Sequence, residues 1–206
     1  MDELRCRAWR AFRNASEAAI QWRGIYPALL FGPDGLDSFR RDPRLSEIAQ
    51  AALGKNILQL NNQVYFRMPG DGDQFNWHQD ITFRAPANLF QGIETGYLQT
   101  AIVIDDIDED NGAIEYVIGS HKSGDLGLVA RGTENGLREF ERQKFKGVKM
   151  TAKSGDVLVW SVMIVHGSEP NKSSKPRMYY MNGLAKAECV LARDHFPYYM
   201  RDGKVV

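Results

Sequence analysis

Apolar residues open this chain at helical spacing: Leu4, Ala8, Trp9, Phe12, Ala15, Ala19 and Trp22 recur at three- and four-residue steps and draw one apolar stripe, which predicts an amphipathic helix. Residues 24–37 are punctuated by Gly and Pro and read as a connection. Asp42 then supplies an N-cap and Pro43 a first helical residue. Leu45, Ile48, Ala49, Ala52 and Leu53 continue the helical period to a stop at Gly54, so a short second helix is predicted. From Ile57 the period changes. Residues 57–68, 77–83, 97–104, 113–118, 147–151, 157–165 and 177–185 read as strands separated by Gly, Pro, Asp and Asn clusters. Residues 131–145 are charged and carry Leu137 and Phe140 at helical spacing, which predicts a loop with a short helix over the strands. A helical start followed by many short strands implies a mainly β fold, a sandwich or jelly roll. The expected layout is one domain over 1–206, helical to about residue 55, with a strand core from about 56 to 190.

Composition narrows the function. The 206 residues are 43% hydrophobic, enough for a substantial core. Twenty-six basic residues balance 26 acidic ones, so no global field draws the chain to nucleic acid or to an anionic membrane. A small molecule is the expected partner; oligomeric state is not legible. Cys6 and Cys189 are the only cysteines, too few for a disulfide framework and in keeping with a reducing cytoplasm. No apolar run approaches membrane-spanning length, and the Arg-rich first residues lack the apolar core of a secretory signal.

The chemistry begins at His78-Gln79-Asp80. If this tripeptide continues a strand, His78 and Asp80 share one face and Gln79 takes the other. His166 ends a second apolar run, Trp160 to Val165, and an imidazole buried there needs a partner. Two imidazoles and one carboxylate form the facial set that binds non-heme Fe(II) and leaves positions open for oxygen chemistry. The turn-rich residues 169–176 are expected to reverse the chain, so that a strand starting at Arg177 runs beside the histidine strand. Arg177 would then offer a planar fork for a carboxylate, and Ser168, on the His166 face, a hydroxyl for the same group. Zinc binds the same ligand types, so a zinc hydrolase is an alternative, although it gives Arg177 no task. A jelly-roll protein that binds a metal or small acid without turnover is another. Asp105, Asp106, Asp108, Glu109 and Asp110 lack the ligand pattern of an EF-hand and read as a solvated turn. His121 and His195 read as structural. Tyr65, Phe66, Phe75, Trp77 and Phe83 are expected in the core or lining a pocket.

Residues 62–70 (NQVYFRMPG), Trp77-His78-Gln79-Asp80, the acidic turn 104–112, residues 118–122 (IGSHK), and His166-Gly167-Ser168 with Arg177 together resemble the phytanoyl-CoA dioxygenase family, over about residues 45 to 186. The resemblance, which extends to ectoine-hydroxylase-type members, implies a double-stranded β-helix (a cupin-like jelly roll) using Fe(II), 2-oxoglutarate and O2. It implies that His78, Asp80 and His166 hold the iron, and that Arg177 and Ser168 hold the distal carboxylate of 2-oxoglutarate. It places Gln63 in the lining of the cosubstrate pocket. The implied reaction is hydroxylation or another oxidation of a small metabolite, with release of succinate and CO2. The sequence departs from the family at Ala101, where many relatives have tryptophan, so the pocket wall there is expected to be more open or filled from elsewhere. Relatives are also usually longer at the N-terminus, as they would be if part of the native chain were missing here.

Overall fold

The computed structural model describes residues 25–27, 33–70, 72, 74–84, 88–128 and 146–206, with backbone alone at 25–27 and 33–35. The predicted helix over 4–22 and the predicted loop helix within 131–145 lie outside these residues. A strand, β1 (Ile25–Pro27), and a helix, α1 (Pro33–Arg40), occupy the stretch read as a connection. Proline is tolerated at a helix start because the first N–H groups have no helical partner in any case. Helix α2 (Pro43–Leu53) follows as predicted: the Asp42 carboxylate accepts from Arg44 N–H, and Gly54, at φ +85°, donates back to Gln50 O to end the helix.

Among the described residues, eleven strands build two antiparallel sheets: β1, β2 (Ile57–Arg67), β3 (Phe75–His78), β4 (Tyr97–Val103), β5 (Ile114–Tyr116), β6 (Val148–Lys149), β7 (Val157–Ser161), β8 (His166–Ser168), β9 (Arg177–Lys186), β10 (Tyr198–Arg201) and β11 (Lys204–Val205). The larger sheet runs β11-β10-β2-β9-β4-β7, with β1 added on β2, and the smaller β3-β8-β5-β6. This is a jelly roll.

Period-two alternation explains the layering. Val64 and Phe66 of β2, Met178 and Tyr180 of β9, and Ile102 of β4 turn outward and bury Leu36 of α1 and Leu45 of α2. Ala49 and Leu53 of α2 cover Ile57, Leu184 and Met200. The opposite parity, Tyr179 and Met181 with Ala101 and Val103, turns inward to meet Ile114 and Tyr116 of the smaller sheet. Strand β9 is therefore buried on both faces, with Met178–Met181 and Gly183–Ala185 apolar and Arg177 and Asn182 the polar residues buried among them. Ala101 is fully buried, with Trp160 and Met181 in the same cluster, so of the two expected outcomes the wall is the one filled from other strands.

Three sequence expectations are corrected. Strand β3 ends at His78, and Asp80 opens a 3-10 turn (Asp80–Arg84), so strand alternation does not place the carboxylate. The run 157–165 is not one strand: β7 stops at Ser161, the chain turns through Val162 and Val165, both fully buried, and His166 opens β8 in the other sheet. Strand β9 does not lie beside β8; it pairs with β2 and β4 in the larger sheet. Residues 169–176 thus carry the chain from one sheet to the other, because the apolar faces of β9 must be covered on both sides.

Candidate metal centre

Antiparallel pairing of β3 with β8 sets His78 directly opposite His166, with ring centroids 4.1 Å apart. Close approach of the strands depends on Gly167. A Cβ there would lie 2.8 Å from Phe75 O and 3.3 Å from Asn76 C, backbone atoms that cannot rotate away. Gly167→Ala is therefore expected to push β3 off β8 and to lower stability by about 1–3 kcal/mol, the usual cost of overpacking. A urea midpoint equal to that of the native protein would show that the strands can part at no cost.

Both imidazoles are fixed by the backbone. His78 Nδ1 lies 2.8 Å from Asn76 O, and His166 Nδ1 3.0 Å from Ile164 O. A carbonyl can only accept, so each Nδ1 carries a proton, which leaves Nε2 as the nitrogen that faces Asp80. Burial, reinforced by the neighbouring His166, lowers the His78 pKa to about 4, so the ring stays neutral around pH 7, as a ligand must. Asp80 comes in from the 3-10 turn, its Oδ1 3.8 Å from Nε2 of each histidine, too long for a hydrogen bond. Its Oδ2 accepts from Trp160 Nε1 at 3.2 Å. One carboxylate oxygen is thereby held by the tryptophan while the other faces the two nitrogens.

These ligand atoms all lie within 4.8 Å of one another, and among the described residues they form the cluster able to hold a metal ion. The donor set fits: two imidazoles anchored through Nδ1, a carboxylate steered by a second hydrogen bond, and supporting contacts typical of metal sites. Gln79 points away, as expected, and is fully buried; its amide donates to Gly124 O and Met163 O and accepts from Leu126 N–H, which locks the loops around the turn. His121 and His195 sit on exposed 3-10 turns outside the cluster.

A narrow cavity of about 50 Å³ opens onto the cluster, lined by Tyr65, Phe75, Tyr179, Met181, Trp160 and Ser168 together with His78, Asp80 and His166. Tyr65 and Tyr179 stack at 5.2 Å. Of the aromatics singled out in the sequence, Tyr65 and Phe75 line this cavity and Phe66 and Trp77 are core, whereas Phe83, against expectation, is exposed and edge-on to His78. Gln63 sits two residues from Tyr65 on the same strand face and accepts from its hydroxyl at 3.2 Å.

Arg177 is fully buried, its guanidinium 4.6 Å over the Tyr179 ring. Its Nε donates to Asn111 O at 3.3 Å and its Nη2 to Gly112 O. Gly112, at φ +80°, has no room for a side chain: a Cβ would meet Arg177 Nη2 at 3.3 Å and Glu169 O at 3.1 Å. The acidic turn therefore seats the arginine. Within the turn, Asp108 caps the N–H groups of Asp110 and Asn111, while Asp105 is buried rather than solvated.

Two side chains in contact with the site escaped the sequence reading. Trp160 could have been found from its parity with Leu158 on β7. Arg67 shares the parity of Gln63 and Tyr65, is 2% exposed, and donates from Nη2 to Ser168 Oγ at 3.2 Å.

Comparison with known proteins agrees with this geometry. The family model described as phytanoyl-CoA dioxygenase (PhyH) matches residues 32–179, well over half of the sequence. The chain belongs to the phytanoyl-CoA dioxygenase family. It is 28% identical, over 183 residues, to a probable alpha-ketoglutarate-dependent hypophosphite dioxygenase of Stutzerimonas stutzeri, a match covering 85% of this chain and 61% of that protein. It is 24% identical over 153 residues to an ectoine dioxygenase of Bordetella bronchiseptica, covering 66% of this chain and 49% of that protein. The chain thus spans about half to three fifths of the length of these curated relatives. Among solved structures, the apo form of the non-heme monooxygenase ThoJ shares the fold, with a TM-score of 0.71 at 17% identity, over 92% of this chain and 71% of that one.

Proposed function

We propose that this chain is an Fe(II)- and 2-oxoglutarate-dependent oxygenase acting on a small polar metabolite. The observation that carries the reading is the in-register pair His78–His166 facing the Asp80 carboxylate, with Ser168 on the cavity wall and a buried arginine system behind it. Held by His78, Asp80 and His166, ferrous iron with 2-oxoglutarate and dioxygen would supply the oxidising power to insert oxygen into a C–H bond, with succinate and CO2 as co-products.

The rest is the work of the chain. The Nδ1 anchors at Asn76 O and Ile164 O hold both imidazoles in the ligand tautomer. Arg177, oriented by Asn111 and Gly112, provides a fixed positive charge for the distal carboxylate of the cosubstrate, and Ser168 a hydroxyl. Gln63 serves the pocket through the Tyr65 hydroxyl. Tyr65, Tyr179 and Phe75 wall the site against water, which strengthens each charge interaction inside it. Trp160 steers Asp80, so Trp160→Phe is expected to weaken metal affinity about 10- to 100-fold, the usual effect of losing a group that orients a ligand. Competition with a chromophoric chelator reads this out, and an unchanged affinity would show that the tryptophan only fills space.

A small polar substrate is favoured by the relatives, whose names specify hypophosphite and ectoine. A panel of such compounds, scored by Fe(II)-dependent succinate formation from 2-oxoglutarate above the substrate-free rate, tests the reading. If no compound raised succinate, and none formed without added substrate either, the activity would be misassigned.

A further inference from the structure

Arg67 and Arg177 stand directly opposite one another on β2 and β9, on the face that carries the stacked Tyr65 and Tyr179. Burial excludes water from Arg67, and a guanidinium does not deprotonate in a protein. Its Nη2 donates to Ser168 Oγ, and its Cζ lies 4.6 Å over the Phe75 ring. Neither contact brings a negative charge. Its Nη1 is buried with no hydrogen-bond partner, and among the described residues no carboxylate forms an ion pair with it.

A buried cation without an anion is costly, and a second guanidinium at the adjacent strand position raises the cost. An apolar side chain would fill the same volume more favourably, so packing alone gives no reason for an arginine there. The missing charge has a route in: Ser168 and Phe75, which both touch the Arg67 guanidinium, line the cavity beside the metal cluster. Tyr116 Oη is a further buried hydroxyl without a hydrogen-bond partner, on the strand that pairs with β8 opposite His166. Among the described residues, Arg67 Nη1 and Tyr116 Oη are thus buried donors with nothing to accept from them.

We propose that Arg67 is a second binding residue for the cosubstrate. With Arg177 and Ser168 it clamps the distal carboxylate, so that the pocket selects a 2-oxoacid with a second carboxylate over one without. This rests on reading the site as a 2-oxoglutarate pocket. A carboxylate has two oxygens with about four lone-pair sites, enough to accept from two guanidinium groups and a hydroxyl at once.

Calorimetric titration of the whole chain, loaded anaerobically with Mn(II), tests the proposal with two probes: 2-oxoglutarate and 2-oxobutyrate, which lacks the distal carboxylate. Arg67→Met is expected to raise the Kd for 2-oxoglutarate at least about tenfold, as for other buried charge pairs that lose a partner, and to leave 2-oxobutyrate nearly unaffected. Arg67→Lys keeps a point charge but not the fork and should fall between. An unchanged preference for 2-oxoglutarate over 2-oxobutyrate in either variant, or equal losses for both acids, overturns the proposal. Should Arg67→Met not fold, the ratio of the two affinities in Arg67→Lys decides alone. Arg177→Ala separates the two levels of the argument. If it loses 2-oxoglutarate while the Arg67 variants do not, only the role of Arg67 falls; if the native protein binds no 2-oxoglutarate, the reading of the site falls with it.

Discussion

His166→Ala is expected to abolish stoichiometric metal binding and to reduce turnover by more than about a hundredfold, beyond the 10- to 100-fold loss seen for residues that merely orient a ligand. The substitution removes one of only three protein donors and leaves His78 facing empty space on β8. The fold should survive, because β8 keeps its pairing with β3 and β5 through backbone groups. The one hydrogen bond lost, from Nδ1 to Ile164 O, contributes only about 1 kcal/mol. Asp80→Gly should behave similarly, and it also leaves the Trp160 N–H without its acceptor. Metal content by elemental analysis after anaerobic loading checks both variants. Native-level metal in a folded His166→Ala protein would place the ion elsewhere.

The second large effect is expected at Arg177. Removing one member of a desolvated, hydrogen-bonded charge pair costs on the order of 2–5 kcal/mol, so Arg177→Ala should weaken 2-oxoglutarate binding at least tenfold. Lysine should rescue it partly, since it keeps the charge and loses the planar fork that Asn111 and Gly112 orient. Metal affinity should stay nearly native in both variants, because Arg177 lies behind Tyr179 and does not contact the cluster. Calorimetry with the Mn(II)-loaded protein measures the two affinities separately. Equal 2-oxoglutarate affinity in native and Arg177→Ala protein would leave the fully buried arginine without a functional role.

Much of this was legible in local sequence. The cap at Asp42, the stop at Gly54 and the two-residue alternation of β2, β4 and β9 are short-range signals, and the structure follows them. The clustered residues His78, Asp80 and His166 could be picked out as well, although strand alternation does not explain how Asp80 joins them. The carboxylate reaches the histidines from a 3-10 turn, and no hydrophobic period announces where a strand ends when the residues beyond it are also buried. The same difficulty hid the break before His166. Val162 and Val165 are as apolar as the Val157–Trp160 run before them, so residues 157–165 look continuous while the chain crosses between sheets. Strand partners are a long-range property. That Arg177 pairs with Arg67, and not with the histidine strand, depends on how both apolar faces of β9 are covered, which its own residues do not encode. Arg67 stayed hidden for a related reason: next to Met68 and Pro69 it looks like the frayed end of a strand, and only the fold reveals that it is buried against Ser168.

The central claim is that His78, Asp80 and His166 hold a ferrous ion to which 2-oxoglutarate binds. Its most direct test is an anaerobic absorption titration of the Fe(II)-loaded protein with 2-oxoglutarate. A saturable metal-to-ligand charge-transfer band should appear with one equivalent of iron, and it should be missing in His166→Ala. No band in the native protein at saturating 2-oxoglutarate, or the same band in His166→Ala, would contradict the assignment.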